Sequence, residues 1–76
     1  MKADVLKEQI DSLVSFVGFD YLGVSCGIDP INHSHFEMWY GKAYLEAKSI
    51  DEVMTTPLFD GKSLEEIADD IVITDW

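Results

Sequence analysis

The chain has no arginine, a single cysteine, two prolines and only five lysines against fifteen acids. Each scarcity excludes something. Affinity for a phosphate backbone needs clustered cations, so direct nucleic-acid binding is disfavoured. Anionic membrane surfaces are disfavoured for the same reason. One thiol, Cys26, rules out an internal disulfide framework and fits a reducing compartment. No apolar run approaches the length of a membrane span. The opening stretch Met1-Lys-Ala-Asp-Val-Leu-Lys-Glu8 has acids where a signal peptide needs apolar residues, so a cytoplasmic location is expected.

What is present is a globular composition. Apolar residues make up 47% of 76, including four Phe, three Tyr and two Trp. That is enough burial to offset chain entropy despite a net charge of −10. The length predicts one domain over residues 1–76, with a single core and little room for a deep enclosed active site. The charge is uneven. Residues 49–76 hold eight acids and one lysine, so most of the negative charge lies in the last third.

Val5, Leu6, Ile10, Leu13, Val14 and Val17 recur at three- and four-residue steps, which predicts a helix over 4–18 ending at Gly18. Residues 20–26 read as a first strand, and the Gly27–Ser34 segment as a turn, because Gly, Asp-Pro and Asn lie close together. His35–Tyr40 reads as a second strand with Phe36, Met38 and Tyr40 on one face and His35, Glu37 and Trp39 on the other. Gly41-Lys42 suits a two-residue hairpin turn into a third strand over 43–48. Two capping boxes, Ser49-Ile-Asp-Glu52 and Ser63-Leu-Glu-Glu66, start short helices at 50–55 and 64–70. Residues 71–74 give a last strand. The predicted fold is α+β in the order α-β-β-β-α-α-β: an N-terminal helix, an antiparallel sheet of three to four strands, and two short C-terminal helices. The expected core is Val5, Leu6, Ile10, Leu13, Val17, Phe36, Met38, Leu45, Phe59, Leu64, Ile67 and Ile71.

No catalytic, metal-binding or nucleotide-binding motif stands out. Cys26, Asp29, His33 and His35 fall within ten residues, and thiolate with imidazole suits zinc. Their spacing matches no metal motif, however, and a buried thiol with two turn or edge histidines is the simpler account. No metal and no cofactor are therefore expected. Cys26 with a histidine could make a nucleophile–base pair, but no orienting group or oxyanion hole accompanies it, so no enzyme activity is expected.

Two features point to binding instead. Phe36, Met38, Trp39, Tyr40 and Tyr44 crowd one hairpin, and alternation cannot bury all of them on one face. Core packing is the commoner fate of such residues, but Trp and Tyr are also frequent interface anchors, which makes Trp39 a candidate. Glu65, Glu66, Asp69 and Asp70 line the polar side of the 64–70 helix. Glu65–Asp69 and Glu66–Asp70 are repulsive i,i+4 pairs, and the two aspartates sit at the negative end of the helix dipole. A basic partner would relieve this arrangement. A solvated face is the plainer alternative.

Residues 36–67 resemble a pattern of small uncharacterised phage and prophage proteins of Gram-positive bacteria. It is carried by Trp39-Tyr40-Gly41, by Ser49-Ile-Asp-Glu-Val-Met54, and by Pro57-Leu-Phe-Asp-Gly-Lys-Ser-Leu-Glu-Glu-Ile67. The resemblance implies an accessory protein inside a bacterial host and brings no catalytic residues with it. The expected function is a non-enzymatic acidic module that docks on a basic protein surface, such as an inhibitor imitating nucleic-acid charge. The alternative is a small assembly protein that forms a homodimer through the aromatic hairpin.

Overall fold

The structure is a computed structural model that describes all residues from Met1 to Trp76. Helix α1 (Ala3–Asp11) leads into strands β1 (Val17–Tyr21), β2 (Val24–Asn32), β3 (His35–Tyr40) and β4 (Ala43–Ala47). Helices α2 (Ile50–Thr55) and α3 (Leu64–Ile67) follow, then a 3₁₀ turn (Ala68–Asp70) and strand β5 (Val72–Asp75). The sheet is antiparallel throughout, in the order β4-β3-β2-β1-β5. The α+β class and the sequence of helices and strands match the expected fold, with one strand more.

The extra strand comes from the region 12–34. The helix stops at Asp11 rather than Gly18. Ser12 turns its hydroxyl onto the Gln9 carbonyl at 2.6 Å, and Leu13 adopts a left-handed φ of 60° that no helix continues. Val17, Phe19 and Tyr21 then alternate inward as β1, so Val17 is buried from a strand and not from a helix. Val14 is 79% exposed and Val5 is 47% exposed. Leu13 is only half-buried. Tertiary pairing has overridden the helical periodicity.

The predicted strand 20–26 is in fact interrupted by a turn. Leu22 (φ 52°) and Gly23 (φ 77°) join β1 to β2 with Tyr21 opposite Val24. Two successive positive φ values fit the twist of a tight hairpin. Residues 27–32 are strand and not turn. Pro30 is tolerated because β1 ends opposite Ile28, so β2 has a neighbour on one side only at that point. The reversal itself is at His33-Ser34, where Asn32 Oδ1 accepts from the Ser34 N–H at 2.8 Å. An irregularity at Ile31, between the Pro30–Phe36 and Asn32–His35 pairs, adjusts the register.

The remaining local readings match. Gly41, at φ 58°, turns β3 into β4 with Tyr40 opposite Ala43. Asp60-Gly61 reverses the chain, closed by the Phe59–Lys62 bridge. Ser49 Oγ accepts from the Glu52 N–H at 3.1 Å at the start of α2. The second capping box opens α3, where Glu66 Oε1 accepts from the Ser63 N–H at 2.9 Å.

The helices cover one face of the sheet. Leu6, Ile10, Val53, Phe59, Leu64 and Ile67 pack on Val17, Phe19, Cys26, Ile28, Phe36 and Met38. Phe19 and Phe59 meet at a tilt with ring centres 5.6 Å apart, and Tyr40 meets Phe59 edge-on at 6.1 Å. Leu45 borders this core half-buried. No helix is long and apolar enough to cross a membrane.

Candidate functional site

The other face of the sheet has no helix against it. Directly paired residues in an antiparallel sheet point the same way, so the register identifies what this face displays. One row runs Asp29–Glu37–Glu46 across β2, β3 and β4. The next runs Gly18–Gly27–Trp39–Tyr44 across β1 to β4, with Asp75 of β5 beside Gly18. Beyond it lie Val72, Asp20 and Ser25. The five strands contain no lysine at all. The face therefore joins five carboxylates to an aromatic strip.

Two glycines make that strip possible. A Cβ at Gly27 would overlap the six-membered ring of Trp39, so the bare backbone is what lets the indole lie across the sheet. Phe16 continues the strip, with its ring 6.4 Å from that of Trp39, and packs close to Gly18. Trp39 is thus half-buried on the open face, and the core is not its site. Phe16 and Tyr44 are exposed beside it.

The acidic row is tied together by Tyr44. Its hydroxyl lies 3.0 Å from Glu37 Oε2 and 3.1 Å from Glu46 Oε1, so one hydrogen is shared between two carboxylates. Desolvation of the hydroxyl, together with those hydrogen bonds and charges, pushes the Tyr44 phenol up to about 12. The proton therefore stays in place at any physiological pH. His35 stands two residues from Glu37 on the same strand. Its Nε2 is 3.6 Å from Glu46 Oε2, shielded from solvent and without a hydrogen-bond partner.

The C-terminal acids form a separate surface on the helical side. The helix expected over 64–70 is one turn of α-helix followed by the 3₁₀ turn, which removes the regular i,i+4 repulsion. Glu66 is structural. Its carboxylate accepts from both the N–H and the hydroxyl of Ser63, which hold it below its ordinary range with help from the Lys62 charge. Asp69 lies 4.0 Å from the Met1 amino group. Glu65 and Asp70 are exposed. Glu65 borders a shallow cleft of about 280 Å³ between α1 and α2, where Lys7 pairs with Asp51 at 2.9 Å. Trp39 and the acids Glu65, Glu66, Asp69 and Asp70 therefore do not share one surface.

The group Cys26, Asp29, His33 and His35 does not converge either. Cys26 points into the core and donates to the Val24 carbonyl at 3.3 Å. Burial pushes its thiol up to about 11, which leaves almost no thiolate at neutral pH. His33 sits at the far turn, 3.1 Å from the Asp11 carbonyl. Asp29 and His35 are on the open face.

The acidic row had a partial signal in the sequence. The two-residue turn at Gly41-Lys42 dictates Trp39 opposite Tyr44 and Glu37 opposite Glu46. Asp29 and Phe16 had none, because both lie in the segment where strand was read as turn or helix. No family model matches the chain, and no curated protein or solved structure matches it.

Proposed function

We propose that the chain is a non-enzymatic acidic binding module that docks on a basic surface of a partner protein through the open face of its sheet. The observation that carries this reading is the combination of Trp39, Phe16 and Tyr44 with Asp20, Asp29, Glu37, Glu46 and Asp75 on one face whose strands carry no lysine. Aromatic anchors supply contact energy at the centre of an interface. Like charges around them select a partner of opposite sign and speed encounter. Carboxylates across neighbouring strands repeat at roughly 4.8 Å. A surface that holds phosphates through lysine and arginine would accept such a row, as expected of an inhibitor that imitates nucleic acid inside a bacterial host.

Self-association through the same aromatic hairpin is the weaker reading. A two-fold dimer through this face sets the Asp29–Glu37–Glu46 row of one copy near that of the other, with no lysine on any strand to offset it. The test is capture of partners from a bacterial lysate by the parent chain, by Trp39→Ala, by Asp29→Asn with Glu37→Gln, and by Glu65→Gln with Asp70→Asn. A captured protein is then purified and its association rate followed against salt. Binding that survives both open-face variants overturns the assignment of the face. A parent association rate that does not fall as salt is raised from low ionic strength to about 0.1 M overturns the electrostatic reading.

A further inference from the structure

We propose that His35, Glu37 and Glu46 form a surface site for a divalent transition-metal ion of the zinc class, at the end of the β3–β4 hairpin away from its turn. Glu37 and Glu46 also belong to the acidic row of the open face, but metal binding needs no docking partner. Three donor atoms, one imidazole nitrogen of His35 and one oxygen from each glutamate, lie within 4.8 Å of one another. Ligands at the usual zinc distances in a tetrahedron sit roughly 3.4 Å apart. The His35 Nε2–Glu46 Oε2 separation of 3.6 Å already meets that spacing. The half-buried Glu37 supplies the third donor from the neighbouring position on the row.

Two further observations point to a cation rather than to a chance cluster of charges. The first is His35 Nε2, which is shielded from water and has no hydrogen-bond partner. A shielded ring nitrogen without a partner is costly, and a metal would supply the missing one. The second is the division of the carboxylate oxygens. Tyr44 holds Glu37 Oε2 and Glu46 Oε1, which leaves the second oxygen of each carboxylate without that donor, and Glu46 Oε2 lies beside the imidazole. A donor that fixes the outer oxygens of ligating carboxylates is the usual second layer of a metal site. The register places Glu37 directly opposite Glu46, an arrangement that repels without a cation.

The donor set selects the ion. One imidazole with two carboxylates suits zinc, cobalt or nickel, whereas magnesium and calcium take oxygen ligands. With three protein donors, a fourth position would remain for water.

The experiment is calorimetric titration of the full chain with Zn²⁺, with competition against a chromogenic chelator, and with Mg²⁺ and Ca²⁺ as controls. The expected result is one zinc per chain and no measurable calcium or magnesium binding. His35→Ala and Glu46→Gln should each weaken zinc at least about tenfold, while His33→Ala leaves it unchanged. Circular dichroism on each variant verifies that the sheet is intact. Co²⁺ substitution gives a second readout, a visible absorption band that is lost in His35→Ala and kept in His33→Ala. Absence of stoichiometric binding by the parent, or binding that persists in both His35→Ala and Glu46→Gln, overturns the proposal.

Discussion

The six-membered ring of Trp39 fills the space above Gly27 that a side chain at that position would occupy. The contact spans two adjacent strands and is the closest approach of side chain to backbone described on the open face. Gly27→Ala must therefore expel the indole or shift the strand. It should destabilise the fold by ~1–3 kcal/mol, the usual effect of overpacking. In a Trp39→Ala background the same substitution should cost much less, because the two changes share one contact. Urea denaturation of the four proteins in this cycle checks it, and additive costs would show that the ring does not rest on Gly27.

Leu13 is less important to the core than the sequence suggests. It is half-buried and holds a φ of 60° at the end of α1, whereas Leu6 and Leu64 are fully enclosed. Leu6→Ala and Leu64→Ala should each cost ~2–5 kcal/mol, enough to unfold a domain of this size. Leu13→Ala should cost distinctly less and leave a cooperative transition. Equal losses at positions 6 and 13 in urea denaturation would contradict the observed end of the helix.

Glu66 contributes to acid stability through Ser63. Its folded carboxyl lies below the ordinary 4.5, chiefly because the Ser63 N–H and hydroxyl hydrogen-bond the charged form. A depressed folded value means that the contribution is complete above the unfolded value and fades as pH falls through the folded one. Glu66→Ala should therefore lower the melting temperature at neutral pH, with the gap to the parent closing below about pH 4. A pH series of thermal melts tests this. Simple relief of charge repulsion by the same substitution would instead raise the melting temperature near neutrality.

Tyr44 should ionise well above the ordinary tyrosine range. Its phenol titrates at about 12 against an ordinary 10.0, and a raised value favours the protonated fold. The associated stability is present below 10 and is lost as pH rises through the folded value. Tyr44→Phe should delete the step near 12 from a tyrosinate absorbance titration. It should also weaken zinc about tenfold, by releasing both glutamates. Retention of the step near 12 in the variant would assign it to another tyrosine.

The sequence was most readable where local chemistry and tertiary context agree. Ser49 and Ser63 start helices where the capping boxes say they should, and His35–Tyr40 alternates as its pattern dictates. It was least readable between Ser12 and Ser34. Leu22 takes a positive φ without being a residue that favours it, so the first hairpin turn carries only Gly23 as a signal. Gly27, Pro30 and Asn32 look like turn residues, yet each has a strand-specific reason that appears only in three dimensions. Gly27 admits Trp39, Pro30 lies beyond the end of β1, and Asn32 braces the true turn. With β2 hidden in this way, the row containing Asp29 could not be assembled. The C-terminal acids form a conspicuous block in the sequence, although Glu66 serves its own helix.

Three successive hairpins with two-residue turns, at Leu22-Gly23, His33-Ser34 and Gly41-Lys42, build β1 to β4 from sequence neighbours. Strand β5 differs, since its partner β1 lies more than fifty residues earlier in the chain. Neighbouring pairings close small loops and form early, while a distant pairing must wait until the intervening chain is arranged. The meander should nucleate folding, with β5 zipping onto β1 only after α2 and α3 have packed. Substitutions at Ile73 would then accelerate unfolding and leave the refolding rate nearly untouched.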